Sequence, residues 1–490
     1  MKSMRKRLSW RVRRSPREER VLSSLCIVVI VACGTLWAQQ PQEGWLHADL
    51  RNEFNHRIPE ACGTFKFKSI PGCGYELFTD HPLHFAAGSL PPQNGFGLGA
   101  AFVAARNTKT WRTDFDLDAV GTTSGNWRMG AYLNLVHTPA RPIKVIHHAP
   151  GEPVKRKKPH LGVHPFTEIS LYAQAISLNK LNYFGLGNTT SLSGASLFGM
   201  TQTIVGASAI KPIYEFPSIN WMKLSLFGEV NGRFVSIRDS HSTSVPSIDT
   251  LYTNATAPGL SSQPASFQLA QGFRIDPVLK DRLEFDYRAG IQEFVAPSNS
   301  QYSFARWTVD LNHTFHIWGY EKSAPVGVSG GGPDTCAAAG DKCPNITVNR
   351  SGFVGARLFI SESLTSAANV PFYFQQTLGG SDINSQLSLS SYQDYRFRAP
   401  NLLLAQAYVE HSIWGPFGLK FMADEGRVAL TRGDLGFSHL RHSFAAGLTL
   451  RAGGFPMVQM MFAWGGPEGH HNIFGMNPSL LGGSARPPLD

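Results

Sequence analysis

Two windows of this chain bring serine, histidine and asparagine together. Asn312-His313-Thr314 and His442-Ser443 hold the types from which a nucleophile, its base and an orienting amide are assembled, the hydrolytic chemistry of a lipase. The same side chains are the ordinary lining of a wet cavity, and no Gly-x-Ser-x-Gly elbow accompanies them, so no catalytic residue is assigned and no enzyme is expected. The 17 histidines are scattered. His147-His148 and His470-His471 are pairs with no third ligand in register, so neither a metal site nor a cofactor is expected.

Of the six cysteines, Cys26 and Cys33 fall in an apolar leader. The other four form two local pairs, Cys62/Cys73 and Cys336/Cys343, each in a Gly/Pro-rich segment. An even number in an exported chain favours disulfides within loops. Metal binding would want further histidine or cysteine at short spacing, which neither pair has.

The leader is read from charge and hydropathy. Nine Lys/Arg and two acids fill residues 1–20 and account for most of the net charge of +10. That removes the case for nucleic-acid binding, which needs a basic stripe on a folded domain. An apolar stretch from Val21 to about Trp37 follows, and Ala38 precedes Gln39-Gln40. The pattern predicts a signal peptide over 1–38, cleaved after Ala38. An uncleaved anchor helix and a lipoprotein signal at Ile30-Val31-Ala32-Cys33 are the alternatives.

Charged residues make up 16% of the chain, low for a soluble protein, while 48 glycines and 11% aromatics are high together. The mean hydropathy of −0.14 argues against a bundle of membrane helices. Short alternating windows begin at Gly95–Val103, Arg112–Val120, Asn126–Leu135 and Phe166–Ile176. They continue through Thr203–Ile210, Trp221–Ile237, Ser266–Ile275, Leu283–Phe294, Phe304–Trp318 and Gly352–Ser361. After the segment 363–400 come Leu402–Ile413, Gly418–Val428, His442–Leu450, Met457–Trp464 and Asn472–Leu481. A period of two with no long apolar run is what a transmembrane barrel strand needs, one face to lipid and one to a polar lumen. Trp221, Trp307, Trp318, Trp414 and Trp464 fall near strand ends, where headgroups would lie. These windows number about fifteen. Barrels close on even counts, so an all-β transmembrane antiparallel barrel of about 16 strands is expected, with one strand missed in the N-terminal half. Lys155-Arg156-Lys157-Lys158 lies in a loop, suited to acidic headgroups or simply solvated.

Several motifs resemble the BamA/TamA-type outer-membrane barrel family, also called the bacterial surface antigen family. They are Leu378-Gly379-Gly380-Ser381, Asp394-Tyr395-Arg396-Phe397-Arg398 and Phe421-Met422-Ala423-Asp424-Glu425-Gly426-Arg427-Val428. Weaker ones are Gly95–Val103, Asn182-Tyr183-Phe184-Gly185-Leu186-Gly187-Asn188, and Glu468-Gly469 after Trp464-Gly465-Gly466-Pro467. The resemblance implies a sixteen-stranded barrel in the bacterial outer membrane over 85–482, after an irregular periplasmic segment 39–84 and before a tail, 483–490. It also implies that loop six folds into the barrel and sets an arginine against the aspartate of the Phe-x-Asp-x-Gly strand. Here the strand half matches at Asp424, but the loop's Arg-Gly position reads Ser390-Ser391. Arg396 or Arg398 is therefore expected to supply the cation for an inward Asp424. Segment 39–84 is too short for the periplasmic POTRA modules of assembly and translocation members. A stand-alone monomeric barrel with a transport or structural role is expected, surrounded by outer-membrane lipids. The alternatives are an assembly or translocation factor working with a separate periplasmic partner, and a barrel phospholipase.

Overall fold

A computed structural model describes residues 44–63, 82–137, 166–216, 222–276, 283–323, 345–452 and 455–476, together with 73, 77, 78, 278 and 279. The chain divides into two compact units, Met1–Arg57 and Ile58–Asp490. In the first, Trp45–Asn52 is α-helical and Glu53–Arg57 a π turn. This corrects the expectation of an irregular segment. No glycine or proline interrupts the stretch between Gly44 and Pro59, so nothing stops the backbone from coiling. In the second unit a helical turn, Ile58–Cys62, carries the cysteine bonded to Cys73. Cys336, Cys343, His147-His148 and the basic run at 155–158 lie outside the described residues.

The rest of the second unit is nearly all β. Its strands are β1 (Leu83–Ser89), β2 (Phe96–Asn107), β3 (Trp111–Gly121), β4 (Trp127–His137), β5 (Glu168–Tyr183), β6 (Ser196–Glu215), β7 (Lys223–Asp239), β8 (Ser266–Ile275) with its short continuation β9 (Val278–Leu279), β10 (Leu283–Val295), β11 (Phe304–Ser323) and β12 (Asn345–Ser363). After two three-residue strands inside loop six, β13 (Gln376–Leu378) and β14 (Phe397–Ala399), come β15 (Asn401–Trp414), β16 (Phe417–Ala429), β17 (Arg441–Ala452), β18 (Phe455–Gly466) and β19 (Gly469–Met476). Counting β8 and β9 as one and setting β13 and β14 aside, sixteen antiparallel strands form a nearly closed barrel. Paired registers run unbroken from β1 to β19, and among the described residues none joins β19 back to β1. The strand missing from the sequence reading is β1. Ala86, Ala87 and Gly88 are buried in succession there, so its alternation is erased.

Inside and outside follow from parity. On β16, Phe417, Leu419 and Phe421 are exposed, while Gly418, Met422 and Asp424, of the opposite parity, are buried. The same rule exposes Phe267, Leu269 and Phe273 on β8. The outer wall is thus apolar and the inner wall polar, the reverse of a soluble barrel. Trp414, at a strand end, is 76% exposed and stacks on Phe417.

Several connections at one end of the barrel are tight, such as the two residues between β15 and β16, while those after β4 and β11 span 138–167 and 324–344. At the other end the loops after β5, β7, β10 and β12 fold over the opening. Their buried residues include Ile248, Phe372, Tyr373, Phe374 and Tyr395, which form a largely aromatic roof with Tyr183, Phe198 and Phe294 of the wall. Three buried arginines sit against it. Arg233 and Arg306 lie over the Phe294 ring at 5.7 and 5.3 Å, and Arg398 over Phe372 at 5.9 Å. Arg306 and Arg398 also donate to the carbonyls of Phe374 and Phe372, at 3.1 and 2.6 Å. A guanidinium that stacks on a ring while bonding to backbone lets an apolar lid end on a polar lumen.

Candidate functional site

Loop six, residues 364–400, enters the barrel. Its shape is built locally. Gly379 and Gly380 have φ of 108° and 60°, and a Cβ on Gly380 would come within 2.3 Å of Asp394 Oδ1, so the Gly-Gly pair is required for both torsion and space. The Asp394 carboxylate accepts from the Ser381 amide at 2.9 Å. That of Asp382 accepts from the amides of Asn384 and Gln386, at 2.9 and 2.7 Å, tightening the tip into an Asx turn. β13 and β14 pair at the loop's neck.

The tip is laid across the barrel wall along one rung. In register, Asn312, Arg357, Gln406, Asp424 and Ser443 sit side by side on β11, β12, β15, β16 and β17. Loop residues between Gln386 and Ser391 meet four of them in order. Arg357 donates to the Gln386 side chain at 3.2 Å and clamps Asp310 with two bonds of 2.8 Å. Gln406 donates to the Leu387 carbonyl at 2.9 Å and to Asp424 at 3.1 Å. The backbone N–H groups of Leu389 and Ser390 donate to Asp424. The Ser391 amide donates to the Ser443 hydroxyl at 2.8 Å.

Asp424 points inward and is buried. The expectation of an arginine partner is corrected: the contacts to its carboxylate come from two loop amides and Gln406, with Lys420 adding an attractive charge from the same inner face. The physical reason lies at Leu389. Its φ of 45° turns successive amides to one side, a small nest that takes an anion without any side chain. Gly426, two residues on, lies under the loop as well, because a Cβ there would meet Leu378 at 2.9 Å.

The two arginines hold the neck instead. Arg396 lies between the rings of Phe184 and Phe397, 4.9 and 4.8 Å from their centroids. It donates to Glu468 of the β18–β19 turn at 2.6 Å and twice to Thr190, each at 2.6 Å. Arg398 belongs to the roof, and its carbonyl accepts from the Gly187 amide at 2.8 Å. The 182–188 motif is thus the socket for the loop's neck, with Gly185 and Gly187 at φ 92° and 105°. Under the tip a polar cavity of about 660 Å³ remains, lined by Asp286, Arg288, Asn312, His316, Tyr408 and Lys420 among others.

Strand parity separates the other candidates. Asn312 and Ser443 face the lumen, while His442 is exposed on the outer face and His313, also outward, is bonded to the Tyr287 hydroxyl at 2.5 Å. His470 and His471 likewise face opposite ways. Among the described residues no three His, Cys, Asp or Glu side chains gather as a metal site.

No family model and no curated protein matches this sequence. Solved structures do. CdiB from Acinetobacter baumannii matches with a TM-score of 0.43 and 9% identity, over 80% of this chain and 58% of that one. CdiB from Escherichia coli gives 0.46 and 9%, over 81% and 62%. BamA from Haemophilus ducreyi lacking POTRA domains 1–3 gives 0.39 and 10%, over 81% and 68%. The chain therefore spans less than two thirds of either CdiB chain.

Sequence reasoning missed Arg357, Gln406 and Ser443 as partners of the loop. The available signal was parity: each is the inward residue at the same height on neighbouring strands.

Proposed function

We propose that this protein is a bacterial outer-membrane β-barrel with a transport role, held shut at rest by loop six. The observation that carries this reading is the tip of loop six latched in order along the Arg357–Ser443 rung beneath an aromatic roof. A purely structural barrel has no need of a loop that spends positive-φ backbone at Leu389 and Tyr395, each costing about 1–2 kcal/mol, to hold a hydrogen-bonded latch inside its lumen. A latch made of hydrogen bonds to a polar wall is also releasable, because water and a polar solute offer the same bonds.

Planar-bilayer recording of the purified protein tests this. The wild type should show little conductance, and deleting residues 381–394 should give openings that the wild type lacks. Asp424→Ala should raise conductance with strand content unchanged. High resting conductance in the wild type, or a deletion that stays silent, would sink the reading.

A further inference from the structure

The seam between β1 and β19 borders a second cavity, of about 560 Å³. Its walls come from both sides of the seam and from loop six, and they are of two kinds. Toward the outside stand Phe96 and Phe474, 46% and 58% exposed. Toward the lumen stand Gln93, Asp394 and His471. A site that is apolar where it meets the membrane and polar where it meets the lumen fits an amphiphile lying across the seam, and its size suits a head group with the first part of its chains.

Charge narrows the class. Asp394 lines the cavity, and among the described residues no lysine or arginine does. The Asp394 carboxylate already accepts from Ser381 and Gln93. A carboxylate has about four acceptor sites, so capacity remains for a donor. Burial pushes its pKa above the usual carboxylate range, the mark of an acid short of a cation. The amide and imidazole donors of Gln93 and His471 suit phosphate oxygens.

We propose that the seam cavity binds one phospholipid with a primary-amine head, its ammonium at Asp394 and its chains along Phe96 and Phe474. The proposal rests on the barrel standing in a membrane, but not on a transport role.

Native mass spectrometry of the full-length protein in detergent tests it, with equimolar phosphatidylethanolamine and phosphatidylglycerol added. One phosphatidylethanolamine should be retained, several-fold over phosphatidylglycerol. Asp394→Asn, which keeps the acceptor oxygen for Ser381, should bring that ratio close to one. Phe474→Ala, on the outer face and away from the loop, should lower retention of both lipids. Equal retention by the wild type, or selectivity that survives Asp394→Asn, would overturn the site. A heat-modifiable band and flotation with liposomes are read in parallel. If both are present without lipid selectivity, the site fails and the membrane placement stands; if both are absent, the placement fails as well.

Discussion

Asp424 and Gly426 divide the labour of the Phe-x-Asp-x-Gly strand. The carboxylate binds the tip, and the missing Cβ makes room for Leu378 at the neck. Gly426→Ala would add a methyl 2.9 Å from Leu378 Cδ1 and 3.1 Å from the Leu403 carbonyl. The backbone oxygen cannot retreat without breaking its strand, so the leucine must move. Overpacking of this kind costs about 1–3 kcal/mol. The expected outcome is a lower temperature of conversion to the unfolded band on gels, with circular dichroism at room temperature unchanged; an unaltered conversion temperature would show that Leu378 yields freely. That Asp424 faces the lumen was legible from the motif and from parity. Its partners were not. They are main-chain amides, which carry no residue signature, and they converge only because Leu389 takes a positive φ.

At the scale of elements, the neck of loop six is where distant segments meet. Arg396 bonds the loop after β5 through Thr190 and the β18–β19 turn through Glu468, whose side chain is only 9% exposed. Removing the guanidinium strands that carboxylate, and breaking one partner of a buried pair typically costs about 3–5 kcal/mol. Arg396→Ala should therefore speed hydrogen exchange in both 184–195 and 466–470, and Arg396→Lys should restore little, since a single ammonium cannot replace the fork or its stacking. In a double-mutant cycle with Glu468→Ala the two losses should overlap strongly rather than add. Additive losses would mean that the pair is incidental to the neck. The strands themselves were readable almost throughout because alternation is local and strong. What escaped was β1, where Ala86, Ala87 and Gly88 are too small to mark a face, and the pairing of 182–188 with 396–398, which is separated by some two hundred residues and leaves no periodic trace.

For the whole molecule, two barriers lie in series along the lumen: the roof at the loop end and the latched tip below it. Loop six contributes to both, since Phe372–Phe374 belong to the roof and Gln386–Ser391 to the latch. Under the transport role proposed above, a solute would cross only when both have moved. Asp424→Ala releases the latch but leaves the roof's ring stacking and its arginine bonds intact, so its openings should be brief. Phe372→Ala takes about 3–5 kcal/mol from the roof, yet leaves the tip on its rung, and should likewise produce only brief openings. Combined, they should give an open fraction far above the sum of the single variants, because series barriers multiply. The barrel wall holds its hydrogen bonds in registers that neither side chain touches, so strand content and heat-modifiability should survive in all three proteins. If either single substitution already gives the fully open state, one barrier alone closes the lumen and the other is a passive lining.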